Sequence, residues 1–230
     1  MARKLKSFLV PGLILAAVLV LGFLLSWNDF LLLQAKTYNI PSGSMLPTLQ
    51  RGDHLVARQI SASSGEGGLP RRGDIVIFDL PSDPHIAYVM RVVGLPGEKL
   101  QVQEGTVYLN EEPIARDKGS DYVDVSETGK RHNIPRFRET LPGGRSYETL
   151  DVTPRGVRDN TPVYEVPEGH VFVLGDNRDN AIDSRFPGRV GFVPLQNITG
   201  VAEGVYFSGP EGGFVWRPLT APEATSAPVE

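Results

Sequence analysis

A serine stands between glycine and methionine in Ile40-Pro41-Ser42-Gly43-Ser44-Met45-Leu46-Pro47-Thr48-Leu49, in a loop stiffened by two prolines. A hydroxyl held this way is a nucleophile if a base within hydrogen-bond reach takes its proton. Most serines in Pro/Gly loops only form turns, so this one needs support from the rest of the chain. Asp183 and Arg185 offer a carboxylate and a guanidinium two residues apart, a pairing whose ordinary use is to fix geometry. His54, His85, His132 and His170 are scattered without ligand spacing, and cysteine is absent. Neither a zinc site nor a disulfide is expected, and no other metal or cofactor.

The elements that must position these groups begin with residues 8–27, which carry no charge and are mostly Leu, Val, Ala, Phe and Ile. A helix needs about 20 such residues to cross a bilayer. A cleavable signal peptide would have a shorter apolar core, about 7–15 residues, followed by a small-residue cleavage site. Asn28-Asp29-Phe30-Leu31-Leu32-Leu33 shows no such site. The expectation is a transmembrane helix over 8–27. Arg3, Lys4 and Lys6 place residues 1–7 in the cytoplasm by the positive-inside rule, and residues 28–208 on the other side. The whole chain carries −4, and these three positive charges are the only ones before residue 28. The remainder is therefore acidic and gives no support for nucleic-acid binding. The expected contact is a lipid bilayer.

Beyond the span, short β-type runs alternate with Gly and Pro. Strands are expected at Ile75–Phe78, Ile86–Val93, Lys99–Val102, Thr106–Leu109, Val163–Val166, Val171–Leu174 and Val201–Phe207. No long stretch repeats apolar residues at helical spacing, so the expected fold is mainly β with antiparallel pairing. Residues 61–68 read as a Ser/Gly-rich loop. Residues 111–161 read as a polar excursion with hairpins of its own. The tail, 209–230, is rich in Pro, Ala and Glu and reads as disordered, with Phe214 and Trp216 packing locally or touching lipid.

Further blocks follow the serine segment in a fixed order. They are Gly52-Asp53, the run from Arg72-Gly73-Asp74 to Phe78, the run from Arg91-Val92-Val93-Gly94 to Glu98, and the run from Val166-Pro167-Glu168-Gly169 through Gly175-Asp176-Asn177-Arg178-Asp179-Asn180, with Asp183-Ser184-Arg185. Together they resemble the bacterial type I signal peptidases, membrane-bound serine proteases that remove signal peptides from exported proteins. The resemblance runs from Ile40 to about Ser208. It implies an N-terminal transmembrane helix followed by an antiparallel β domain outside the inner membrane. It implies cleavage after Ala-X-Ala on exported preproteins, without a cofactor. Ser44 would be the nucleophile, and its N–H with the Ser42 hydroxyl would form the oxyanion hole. Ile40, Pro41, Met45, Leu49, Tyr88 and Val89 would line small S1 and S3 pockets. The substrate would lie as an added strand between the Ser44 segment and Ala87-Tyr88-Val89, with alternate side chains entering pockets. Asp183 and Arg185 would be a structural ion pair beneath the serine loop.

Two positions depart from that pattern. The family reads a lysine, the general base, directly before Arg91-Val92-Val93, and here the residue is Met90. After Gly175-Asp176-Asn177-Arg178-Asp179-Asn180 it reads a serine that holds the lysine amine, and here the residue is Ala181. A thioether is not a base at any working pH. Removing one partner alone strands a buried polar group at about 1–3 kcal/mol, whereas replacing both by apolar groups is nearly neutral. His85 lies five residues before Met90 and is expected to face the other side of its strand unless a bulge intervenes. Lys99 and His170 read as surface residues, and His54 follows Gly52-Asp53. Two functions stay open: a working signal peptidase with a weakened or relocated base, and a pseudoprotease that binds signal peptides or serves as a subunit.

Overall fold

The computed structural model describes residues 35–60, 68–125, 129–153 and 155–219. The expected segments 1–7 and 8–27, most of the loop 61–68, and residues 220–230 lie outside the described residues. Among the described residues, no helix is long and apolar enough to cross a membrane. The chain divides into Met1–Lys36, of which only the last two residues are described, and Thr37–Glu230.

Strand β1 (Ala35–Asn39) and β2 (Asp53–Gln59) flank the Ser44 loop. Strand β2 alternates strictly: Asp53, Leu55 and Ala57 are buried, and His54, Val56 and Arg58 are half-buried. The apolar β3 (Ile75–Leu80) pairs with β4 (Asp83–Gly94), with Val76 opposite Met90 and Phe78 opposite Tyr88. A bulge in β4 falls between Asp83 and Ala87.

Strands β5 (Lys99–Gln103), β6 (Thr106–Leu109) and β7 (Glu112–Pro113) form a second sheet, which a strand from later in the chain makes four-stranded. The connecting pairs Glu104-Gly105 and Asn110-Glu111 have positive φ at both residues. That is the two-residue hairpin turn whose twist matches its strands. Leu100 faces Leu109, and Val102 faces Val107. These four join Tyr147, Tyr164 and Phe172 in the second of the hydrophobic clusters.

Residues 111–161 hold β8 (Ala115–Lys118), β9 (Tyr122–Val125), β10 (Arg131–Ile134), β11 (Arg136–Thr140) and β12 (Ser146–Leu150). Strands β9 and β10 form a hairpin, and β8, β11 and β12 form a three-stranded sheet. The expected strand Val163–Val166 is shorter, β13 (Tyr164–Glu165), paired with β5; Val163 is exposed. The chain continues through β14 (His170–Leu174), β15 (Val193–Pro194), β16 (Ile198–Ser208) and β17 (Gly213–Pro218).

The main sheet runs β1-β2-β16-β3-β4-β14-β15. Strand β16 pairs with β2 over Gly200–Ser208. On its other edge β3 covers only Ile198–Val201, and β17 takes over from Gly204 to Ser208. This corrects the expectation of a disordered tail from residue 209. Where β16 outruns β3, its main-chain groups need partners, and β17 supplies them. Arg217 of β17 also pairs with the buried Asp53 carboxylate.

Candidate active site

The Ser44 loop is closed at its base by main-chain bonds. Ile40 N–H donates to Asp53 O at 2.9 Å, and Gly52 N–H donates to Ile40 O at 2.8 Å. Asp53 is fully buried and secures the loop's end by accepting from Gln50 N–H at 2.9 Å and Ser208 Oγ at 2.7 Å. Met45 and Leu49 turn into the main core. Ser44 is half-buried, and its Oγ lies 3.1 Å from Ser42 Oγ.

The segment Gly175-Asp176-Asn177 holds the loop from beneath. Asn177 N–H donates to Ser44 O at 2.9 Å, and Asn177 Nδ2 donates to Gly43 O at 2.9 Å. A Cβ on Gly175 would lie 2.3 Å from Ala181 Cβ, 2.8 Å from Ser44 O and 3.4 Å from Met90 Sδ. Ser44, Met90 and Ala181 thus converge on one α-carbon that tolerates only hydrogen. Met90 and Ala181 are 2% and 4% exposed and belong to the same core cluster.

Two buried ion pairs fix this segment. Asp183 accepts from Arg185 Nε at 2.9 Å and Nη2 at 2.8 Å, and its carboxylate also receives Gly175 N–H at 3.1 Å. Asp176 accepts from Arg91 Nε at 2.8 Å and Nη2 at 2.6 Å, and from Thr48 Oγ1 at 2.5 Å. Arg91 lies 4.2 Å from the centroid of the Tyr147 ring. Tyr147 Oη donates to Glu139 at 2.9 Å, and Glu139 pairs with Arg178. Burial, then the charge of Glu139, pushes the Tyr147 phenol well above its usual range. It stays a neutral donor. Burial opposes the charge on Arg91 and Arg178, yet both stay ionised, because Asp176 and Glu139 raise their pKa values further.

A groove of about 390 Å³ opens over the serine. Residues 38–42, Ser44 and Met45 line it from the loop, residues 86–90 from β4, and Asn180 and Ile182 from the segment after β14. Strand β4 pairs with β3 from Ala87 to Arg91 but meets β14 only from Arg91 onward. One edge of residues 86–90 therefore has no strand beside it among the described residues. Strand β1 is at the end of its sheet. Among the described residues, no Lys, Arg, His, Asp or Glu lines the groove.

Ser42, Ser44, Ile40, Pro41, Met45, Ala87, Tyr88, Val89 and Met90 all line this groove. Leu49 does not, which is a correction. Its N–H bonds to Met45 O at 2.9 Å, and that turn carries its side chain wholly into the core. Ile86, Asn180 and Ile182 line the groove without having been singled out. The last two flank Ala181, which was the signal available for them. His85 is exposed and outside the groove; it sits within the bulge, so strand parity does not decide its direction. His54 packs edge-on against Tyr206 and Phe207 at 6.0 and 5.4 Å. His170 Nδ1 contacts Glu168 O at 2.9 Å, and Lys99 is exposed on β5.

The family model described as signal peptidase, peptidase S26, matches residues 10–207. The chain is 36% identical over 196 residues to a signal peptidase I of Rickettsia conorii, covering 75% of this chain and 71% of that protein. It is 35% identical to a signal peptidase I of Rickettsia canadensis, covering 75% and 72%. A crystal structure of a signal peptidase I from Enterococcus faecalis, 29% identical, covers 57% of this chain and 95% of its own, with a TM-score of 0.34. By the extent of the family match and the identity to these relatives, this chain belongs to the peptidase S26 family of signal peptidases.

Proposed function

We propose that the groove binds the C-terminal ends of signal peptides on exported preproteins and that Ser44 cleaves them slowly or not at all. The carrying observation is the convergence of Met90 and Ala181 on Gly175 beside Ser44, in a groove lined, among the described residues, by no charged side chain or histidine. Among the described residues, no side chain lining the groove is a base that could take the serine's proton. The Ser42 hydroxyl, 3.1 Å away, is itself a poor base; its role is to donate, with Ser44 N–H, to an oxyanion. Asp183 and Arg185 position Gly175 and hold no substrate. A working peptidase that cleaves after Ala-X-Ala is the second reading, favoured by the intact Ser42–Ser44 pair.

The free edges of β1 and of residues 86–90 suit an added strand, whose alternate side chains enter the apolar walls. A peptide with Ala at P1 and P3 should bind more tightly than one with Leu or Phe at either position. The expected gap is about 1–3 kcal/mol, from overpacking a filled site. Fluorescence anisotropy with the full-length protein in detergent measures it, and equal affinities would overturn the groove assignment.

The sequence of residues 1–27 supports a single-pass anchor in the inner membrane, with the N-terminus in the cytoplasm and the β domain outside. Protease added to sealed inverted inner-membrane vesicles should therefore spare the β domain. Cleavage near Gly143 in intact vesicles would contradict this topology.

A further inference from the structure

Away from the groove, Asp151, Asp159 and Asp179 each present a carboxylate oxygen, and these oxygens all lie within 4.8 Å of one another. Their other oxygens are already held. Arg116 Nη2 donates to Asp151 Oδ2 at 2.6 Å, Gly156 N–H to Asp159 Oδ2 at 2.5 Å, and Thr153 N–H to Asp179 Oδ2 at 2.8 Å. That leaves the Oδ1 atoms. A Cβ on Gly156 would lie 1.9 Å from Asp179 Oδ1 and 3.0 Å from Asp159 Oδ1, so both crowd the same glycine. Asp151 is 8% exposed, and its Oδ1 is buried with no hydrogen-bond partner. An orphaned buried oxygen amid two more carboxylates is an incomplete coordination set.

We propose that Asp151, Asp159 and Asp179 bind one calcium ion, which ties Asp151 and Asp159 to the turn at Arg178–Asn180 beside the groove. Oxygens sharing one calcium at about 2.3–2.6 Å lie at most about 5 Å apart, which fits the cluster. Magnesium, at about 2.0–2.1 Å and strictly octahedral, demands a tighter set. Main-chain oxygens and water complete a calcium shell, as is usual for it. Arg116 already offsets one negative charge, so the affinity should be modest, with Kd about 10⁻⁴–10⁻³ M, the range of extracellular modules. Asn180, next to Asp179, lines the groove, so the ion would stiffen one groove wall.

The experiment is equilibrium dialysis of the full-length protein in detergent against calcium chloride. One calcium per chain is expected, and Asp159→Asn or Asp179→Asn should weaken uptake at least tenfold. Asn at either position keeps an acceptor for Gly156 or Thr153 N–H, so the loop bonds survive. The wild type alone gives a second readout, should the variants fail to fold. Calcium at tenfold excess over Kd should raise the melting temperature by about 3–6 °C, and magnesium should not. No uptake in the millimolar range, with an unchanged melting temperature, would overturn the site. Uptake equal in wild type and folded variants would also overturn it, since the ion would then sit elsewhere. Neither readout depends on cleavage at Ser44.

Discussion

Purified wild-type protein should cleave a preprotein very slowly, and Met90→Lys with Ala181→Ser should raise the rate by more than the two single changes multiplied together. Serine proteases that lack one catalytic partner keep about 10³–10⁴-fold over water from their oxyanion hole and binding alone. On the proposed reading, that residue of activity is what Ser42 and Ser44 would offer here. Met90→Lys places an amine in a buried, apolar setting next to the Ser44 main chain. Burial lowers the lysine pKa by disfavouring its charged form, so the base is neutral at working pH. The amine alone lacks the hydroxyl that would orient it; Ala181→Ser supplies that across Gly175. Groups that act as a unit are non-additive, which is the reason for expecting synergy. The restored rate should rise with pH through the lysine pKa, because the neutral amine is the active form. Single-turnover cleavage beside a Ser44→Ala control is the measurement. An ordinary enzymatic rate in the wild type, abolished by Ser44→Ala, would overturn the reading of an impaired site.

Asp176→Ala should destabilise the β domain far more than any surface change. Arg91 is 4% exposed, and both oxygens of Asp176 hold it. Removing the carboxylate leaves a guanidinium buried without its partner, at about 3–5 kcal/mol. For a domain of this size that lowers the melting temperature by roughly 6–20 °C. It also releases Thr48, on the serine loop. Glu203→Ala breaks the pair with Arg58, whose two side chains are 38% and 44% exposed, and should cost under about 1 kcal/mol. Thermal unfolding of the two variants side by side checks the contrast. Equal shifts would show that the Arg91–Asp176 pair is not a structural anchor.

Strands legible in the sequence were those whose Val, Ile, Tyr and Phe runs end at Gly or Pro, such as Ile75–Phe78 and Val171–Leu174. Strand β2 alternates strictly, but Asp53, His54, Arg58 and Gln59 hide its apolar face of Leu55 and Ala57. Strand β17 is hidden by Pro210, Gly212 and Pro218, whose composition reads as a tail. Strands β8 and β11 carry Arg116 and Glu139, which a polarity reading sends to solvent and the fold sends inward. At the site, the nucleophile segment and the two departures are local facts of sequence. That Gly175 carries Met90, Ala181 and Ser44 O on one α-carbon is a fact of three distant segments meeting, and no spacing contains it. The turn that removes Leu49 from the groove is equally invisible from residue types.

The shared seat on Gly175 also constrains which mutational paths lead out of the present site. A lone lysine at position 90 would sit among core residues without the hydroxyl at position 181 to orient its amine. A lone serine at position 181 would bury a hydroxyl against a thioether. Each intermediate strands a polar group at about 1–3 kcal/mol, while the two end states are both self-consistent. Single-step change to a site with lysine at 90 and serine at 181 therefore crosses a stability valley from either direction. Apolar at both positions, the site is held there by its own packing, as a ratchet is held by its tooth.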